Sequence, residues 1–219
     1  LYNWVSRDSV PATHLVELLG EDDLFAVVPD DVTLAVRRDT AAVNRRLTVD
    51  EPVARLLGYY AAEGFTRREP GSFYQTTICI PDEKPHQEIV ATCRDALGIE
   101  AFEENEWKVT ISSRLVATLF ADVFEAGSEA DTKRIPDEVL GGPKTYLRHF
   151  LAAYFGGDGS TASDRIDSRA HTVSDELKTD LVAALQRFGI AARTSLETRM
   201  SESGVLAEFY DEPRSFETW

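Results

Sequence analysis

Three observations in this sequence predict an α+β fold made of two internal repeats preceded by a short β-rich segment. An apolar run closed by an acid and a glycine occurs twice, as Leu56-Leu57-Gly58-Tyr59-Tyr60-Ala61-Ala62-Glu63-Gly64 and Leu151-Ala152-Ala153-Tyr154-Phe155-Gly156-Gly157-Asp158-Gly159. Each copy is followed by strand-forming residues and then by an amphipathic stretch. Those stretches end alike, in Leu97-Gly98-Ile99 and Phe188-Gly189-Ile190.

The elements follow in order. Residues 1–46 hold short apolar pieces, Leu1 to Val5, Val10 to Ala12 and Asp23 to Pro29, which read as strands between polar turns. The first repeat, 47–142, opens with Thr48-Val49-Asp50-Glu51, a fit to a capping box, and Pro52 is tolerated in a first helical turn. Gly64 to Ile80 reads as a hairpin broken at Pro70-Gly71, and His86 to Leu97 as an amphipathic helix stopped at Gly98. Ile99 to Phe102 and Trp107 to Ile111 form a second hairpin, and Ser112 to Phe124 another helix. The second repeat, 143–219, restates this order. A helix from Lys144 carries the second motif, polar strands run through Ala170-His171-Thr172-Val173, and Asp175 to Phe188 is helical. Strands at Arg193 to Leu196 and Val205 to Tyr210 follow, and Pro213 onward reads as the opening of a last, cut-off helix. A monomer with internal pseudo-twofold symmetry is the natural architecture.

The small residues show how the two motif helices meet. Gly58, Ala61 and Ala62 lie three and four apart, as do Ala153, Gly156 and Gly157, so each set shares a helix face. Faces without side-chain bulk let two helix backbones approach closely. If the helices pair side by side, Glu63 and Asp158 end up together where both helix dipoles are also negative. Such a pair persists readily around a divalent cation, and hard cations prefer oxygen ligands.

Composition narrows the class. Hydrophobic residues make up 43%, and no apolar run is long enough to span a membrane. Cys79 and Cys93 form neither a metal-spacing motif nor a disulfide framework, and no signal peptide is visible, so a cytoplasmic setting is expected. Asp and Glu total 38 against 23 Lys and Arg, a net charge of −15, with only five lysines. That balance is unlike a generic nucleic-acid binder and suits a cytoplasm at very high salt, where surface repulsion is screened. A halophilic origin is therefore expected.

With both motifs in view, the sequence resembles the LAGLIDADG homing endonucleases, in particular the two-motif members embedded in archaeal inteins. Lys133-Arg134-Ile135-Pro136 is similar to the Lys-x-Ile-Pro block those enzymes carry before the second motif. The resemblance covers about residues 48 to 215, and Tyr2 to Pro29 is similar to part of an intein splicing domain. Neither an N-terminal Cys or Ser nor a C-terminal His-Asn stands here, so an endonuclease domain cut from a larger intein is expected. The resemblance implies two αββαββα halves whose saddle-shaped antiparallel sheets sit over the DNA major groove. It implies Glu63 and Asp158 as catalytic acids and ligands of Mg²⁺ or Mn²⁺, with the carbonyls of Ala62 and Gly157 as further ligands. Lys133 matches a catalytic lysine that orients water or balances phosphate charge; its counterpart after Asp158 would lie beyond Trp219.

DNA contacts are expected from Arg67, Arg68, Tyr74, Gln75, Arg165, Arg169, His171, Arg193 and Arg199. The implied activity is site-specific cleavage of double-stranded DNA. The alternative is a DNA-binding module on the same scaffold without cleavage; an RNA-binding maturase is disfavoured by the intein-like segment.

Overall fold

The computed structural model describes residues 2–36, 41–69, 72–161, 168–200 and 215–219. The N-terminal segment departs from expectation. It forms helices α1 (Tyr2–Arg7) and α2 (Ala12–Val27), the latter broken at Gly20 (φ 76), then a small hairpin of β1 (Thr33–Ala35) and β2 (Ala42–Asn44). Leu15, Leu18 and Leu19 recur at three and four, and a helix satisfies its backbone bonds locally where the expected strands would have needed partners. Leu18 is 78% exposed, so these helices add little to the core.

The first repeat follows the expected order: α3 (Glu51–Glu63), β3 (Gly64–Glu69), β4 (Ser72–Ile78), α4 (Glu83–Thr92), β5 (Phe102–Asn105), β6 (Lys108–Ile111) and α5 (Arg114–Thr118). Both α4 and α5 run on into a π-helical turn, and Gly98 stops the first of these at φ 71. The capping box is corrected by one detail. Asp50, not Thr48, caps α3, accepting from the Val53 N–H at 3.0 Å. The four strands form one antiparallel sheet in the order β3-β4-β6-β5. Pleat alternation turns Ile78, Val109 and Ile111 toward the helices, where each is fully buried. Arg67 and Gln75, paired across β3 and β4, lie on the opposite face.

A short helix, α6 (Asp137–Leu140), leads to α7 (Lys144–Gly157), the second motif helix. Then come β7 (Ser160–Thr161), β8 (Ser168–Arg169), α8 (Asp175–Gln186), β9 (Glu197–Met200) and β10 (Ser215–Thr218). Two expectations fail here. Residues 193–196 are not a strand; the strand begins at Glu197 and pairs with β10. The segment expected to open a last helix is β10 itself, held as a strand by antiparallel pairing with β9. The expected strand at 205–210 lies outside the described residues.

Among the described residues the second half, expected to hold one four-stranded sheet, shows two short ladders, β7-β8 and β9-β10. Thr172 and Trp219 exchange both backbone hydrogen bonds, at 3.1 and 2.8 Å. The chain leaving β8 thus runs beside the end of β10, giving the neighbour order of the first sheet in shorter form.

Candidate metal centre at the motif-helix ends

The site rests on the packing of α3 against α7. A Cβ added at Gly58 would lie 2.4 Å from the Phe150 backbone oxygen and 2.9 Å from the Ala153 Cβ. A Cβ at Gly157 would lie 3.0 Å from the Ala62 Cβ and 3.6 Å from the Glu63 Cγ. The helices therefore meet backbone to backbone at Gly58, and at their C-terminal ends Gly157 meets the Ala62 and Glu63 side chains. Ala61 and Ala153 are buried. Gly156 is a correction: it is exposed, with nothing within 4 Å of a Cβ placed on it. The contact follows Ala153 and Gly157, one turn apart, and 156 falls a step of helix rotation outside it.

Glu63 and Asp158 come together at these ends. Burial and the Asp158 charge push the Glu63 carboxyl up to about 7, and burial pushes Asp158 up to about 6. The Tyr154 hydroxyl donates to Asp158 Oδ2 at 3.3 Å, acting against that rise. Burial raises the Tyr154 phenol, as do the charges of Asp158 and Glu63, so the three groups share one environment. Among the described residues no Lys or Arg forms an ion pair with either acid, and no three His, Cys, Asp or Glu side chains gather around a point. Two half-buried, like-charged carboxylates without a cationic side chain fit a divalent ion. Ala62 and Gly157 stand at the helix C-termini, where carbonyls lose their intrahelical partners.

Tyr154 was not singled out from the sequence. Its place one turn before Asp158 is the signal that could have found it. Cys79 was also missed: its N–H donates to the Glu63 carbonyl at 2.9 Å, tying the end of α3 to the end of β4.

Lys133 is 3% exposed and points into the interior. Its Nζ donates to the Tyr60 carbonyl at 3.1 Å and lies 3.2 Å from the centre of the Tyr60 ring. The same carbonyl accepts from Gly64, so Lys133 caps the C-terminus of α3 one turn before Glu63. Burial pulls its pKa down to about 6. The rest of the block joins the halves: Ser174, the cap of α8, donates to the Lys133 carbonyl at 2.6 Å, and Ile135 N–H donates to Asp180 at 3.0 Å. A pH consequence follows. The unfolded chain binds more protons than the folded one between about 6 and 10.5, so this lysine makes stability rise with pH across that window. Lys133→Met should flatten the rise and stabilise the fold at pH 7, as read by urea unfolding at several pH values.

Of the expected DNA contacts, Arg67 is exposed and donates to Gln75 Oε1 at 3.2 Å, and Gln75 donates to Ser112 at 2.9 Å. These three make a polar row across the first sheet. Arg169 is exposed at the end of β8, His171 follows it half-buried, and Arg193 is exposed outside any strand. The side chains of Arg68, Tyr74 and Arg199, and all of Arg165, lie outside the described residues. Glu103, Glu104 and Glu106 sit on the adjoining β5-β6 hairpin, where Lys108 pairs with Glu104 at 3.1 Å.

Residues 145–207 match the protein-family model described as LAGLIDADG-like domain. The chain carries a LAGLIDADG-like domain. It is homologous to segments of archaeal DNA polymerases. It is 29% identical over 218 residues to the DNA polymerase II large subunit of Thermococcus kodakarensis, covering 98% of this chain and 12% of that protein. The same subunit of Haloquadratum walsbyi is 28% identical over 222 residues, covering 96% of this chain and 10% of that protein. The chain thus spans about a tenth of the length of these relatives. Among solved structures, a mesophilic variant of the homing endonuclease I-DmoI superposes with a TM-score of 0.46 at 13% identity, covering 68% of this chain and 82% of that one. I-DmoI in complex with DNA and Mn superposes with a TM-score of 0.46 at 11% identity, covering 78% and 89%. No helix among the described residues is long and apolar enough to cross a membrane.

Proposed function

We propose that this chain is the endonuclease domain of an intein set in a DNA polymerase reading frame, and that it cuts double-stranded DNA at a specific site. The observation that carries this reading is the meeting of Glu63 and Asp158 at the ends of two close-packed helices, each raised above its ordinary pKa. Glu63, Asp158 and the carbonyls of Ala62 and Gly157 would hold Mg²⁺ or Mn²⁺. When bound, such ions activate water and stabilise the leaving oxygen of a phosphodiester. The protein's own part is to fix the two acids between rigid helices and to carry the duplex on its sheets. The two repeats would form a pseudo-twofold saddle, with Arg67 and Gln75 reaching one half of the target and Arg169, His171 and Arg193 the other. Arg68, Tyr74, Arg165 and Arg199 remain proposed contacts.

Lys133 supports this reading less directly. Its place against the Tyr60 carbonyl suits a cap that firms the end of α3 beneath Glu63, in addition to any role toward water.

The match over nearly the whole chain to polymerase II large subunits names the DNA to test. The duplex should be the uninterrupted polymerase II large-subunit gene, with Mg²⁺, at low and at multimolar salt. The acidic β5-β6 hairpin beside the polar row makes high salt necessary, because it repels phosphates. Cutting at one position is expected. Retardation of the duplex without a nick under any condition would favour a binding module instead.

A further inference from the structure

We propose that the Tyr154 hydroxyl is a positioning group that holds the Asp158 carboxylate in one orientation for a divalent cation, and that Glu63 is held by no equivalent tyrosine. This rests on the endonuclease reading and adds an asymmetry between its two halves.

The two motifs align residue for residue, which sets Tyr59 opposite Tyr154, each four places before its acid. Helical spacing puts a residue at that place on the acid's own face. The two hydroxyls nevertheless go to different partners. Tyr154 donates to Asp158 Oδ2 at 3.3 Å, whereas Tyr59 donates to Glu88 Oε2 at 2.7 Å, away from Glu63.

Tyr154 is suited to the task by its surroundings. It is fully buried, with the Phe150 ring stacked at 6.5 Å and an angle of 8° and the Phe155 ring edge-on at 5.5 Å. A ring clamped on two sides fixes where its oxygen points. At 3.3 Å the bond is long for O–H···O, so it orients the carboxylate without neutralising it. It engages one oxygen and leaves Oδ1 with its lone pairs for a cation. Groups that orient a ligand in this way commonly change metal affinity by about 10- to 100-fold when removed.

The Asp158 half should therefore fill at lower ion concentration, and one strand should be nicked first. The test compares Tyr154→Phe with Tyr59→Phe, which loses a hydroxyl of matching sequence position bonded elsewhere. Free Mn²⁺ is counted by electron paramagnetic resonance during titration of metal-free protein. Strand-resolved nicking of the target duplex is followed against Mg²⁺ concentration.

Tyr154→Phe is expected to raise half-saturating Mn²⁺ for one site by about tenfold and to shift the Mg²⁺ requirement of one strand only. Tyr59→Phe should follow the wild type in both. A double variant with Asp158→Asn should bind Mn²⁺ no worse than Asp158→Asn alone, since the hydroxyl acts only through that acid.

Tyr154→Phe indistinguishable from wild type, equal shifts on both strands, or a further loss in the double variant would overturn the proposal and leave the endonuclease reading intact. A wild-type protein that neither binds Mn²⁺ nor nicks DNA would overturn both.

Discussion

Gly58→Val is expected to force α3 and α7 apart and to abolish ion binding with them. The new Cβ would lie 2.4 Å from the Phe150 carbonyl oxygen, a backbone atom that moves only if the whole helix moves. A non-glycine residue in a helix interior ordinarily gains up to about 1 kcal/mol in propensity. Overpacking against a fixed backbone costs about 3 kcal/mol, at the upper end of the usual range, and outweighs that gain. The net loss is about 2–3 kcal/mol, and in a chain of this length the melting temperature should fall by about 4–12 °C. Gly156→Ala provides the contrast on the same helix. Nothing lies within 4 Å of its Cβ, so propensity acts alone and stability should rise by about 0.5–1 kcal/mol. Melting curves of both variants check the pair; equal destabilisation would mean that the helices do not meet at Gly58.

The second large effect lies at the acids. Asp158→Asn should lower cutting by more than about a hundredfold while leaving DNA retardation nearly unchanged, because the duplex contacts are made by other elements. Glu63→Gln should do the same and should also stabilise the metal-free protein at neutral pH. The sign follows from its raised pKa. The folded chain binds more protons than the unfolded one between 4.5 and about 7, so stability falls as pH rises through that window. Removing the charge removes the fall. After allowance for screening at a half-exposed carboxylate, the gain is about 1 kcal/mol, or about 2–4 °C in melting temperature. Added Mg²⁺ should stabilise the wild type more than Glu63→Gln, which keeps only the Asp158 carboxylate.

Much of the first repeat was legible because its signals are local. The Gly58, Ala61 and Ala62 spacing, the Gly98 stop and the alternating hairpins each act over a turn or a strand pair. The meeting of Glu63 and Asp158 was legible for a related reason: two bulk-free helix faces have few alternatives to each other. Features set by tertiary packing were not. The spacing of Ala153, Gly156 and Gly157 could not say which of the glycines would face α3, and the structure chose 157. Lys133 was readable as part of a motif, but its burial against Tyr60 depends on elements more than seventy residues apart in sequence. The N-terminal segment misled because isolated Val and Phe residues weigh toward strands, whereas the leucine spacing of 15, 18 and 19 won locally. In the second half, Ser215 to Thr218 has too few residues for helix and strand patterns to separate without knowing its partner β9.

Carboxyl-carbon NMR titration of Glu63 and Asp158, with and without Mg²⁺, tests cation binding at the paired acids most directly. Without the ion, Glu63 should titrate near 7 and Asp158 near 6; with Mg²⁺ both should stay ionised at pH 6. Midpoints near the ordinary 4.5 and 3.8 that ignore Mg²⁺ would mean the two acids neither crowd each other nor hold a cation.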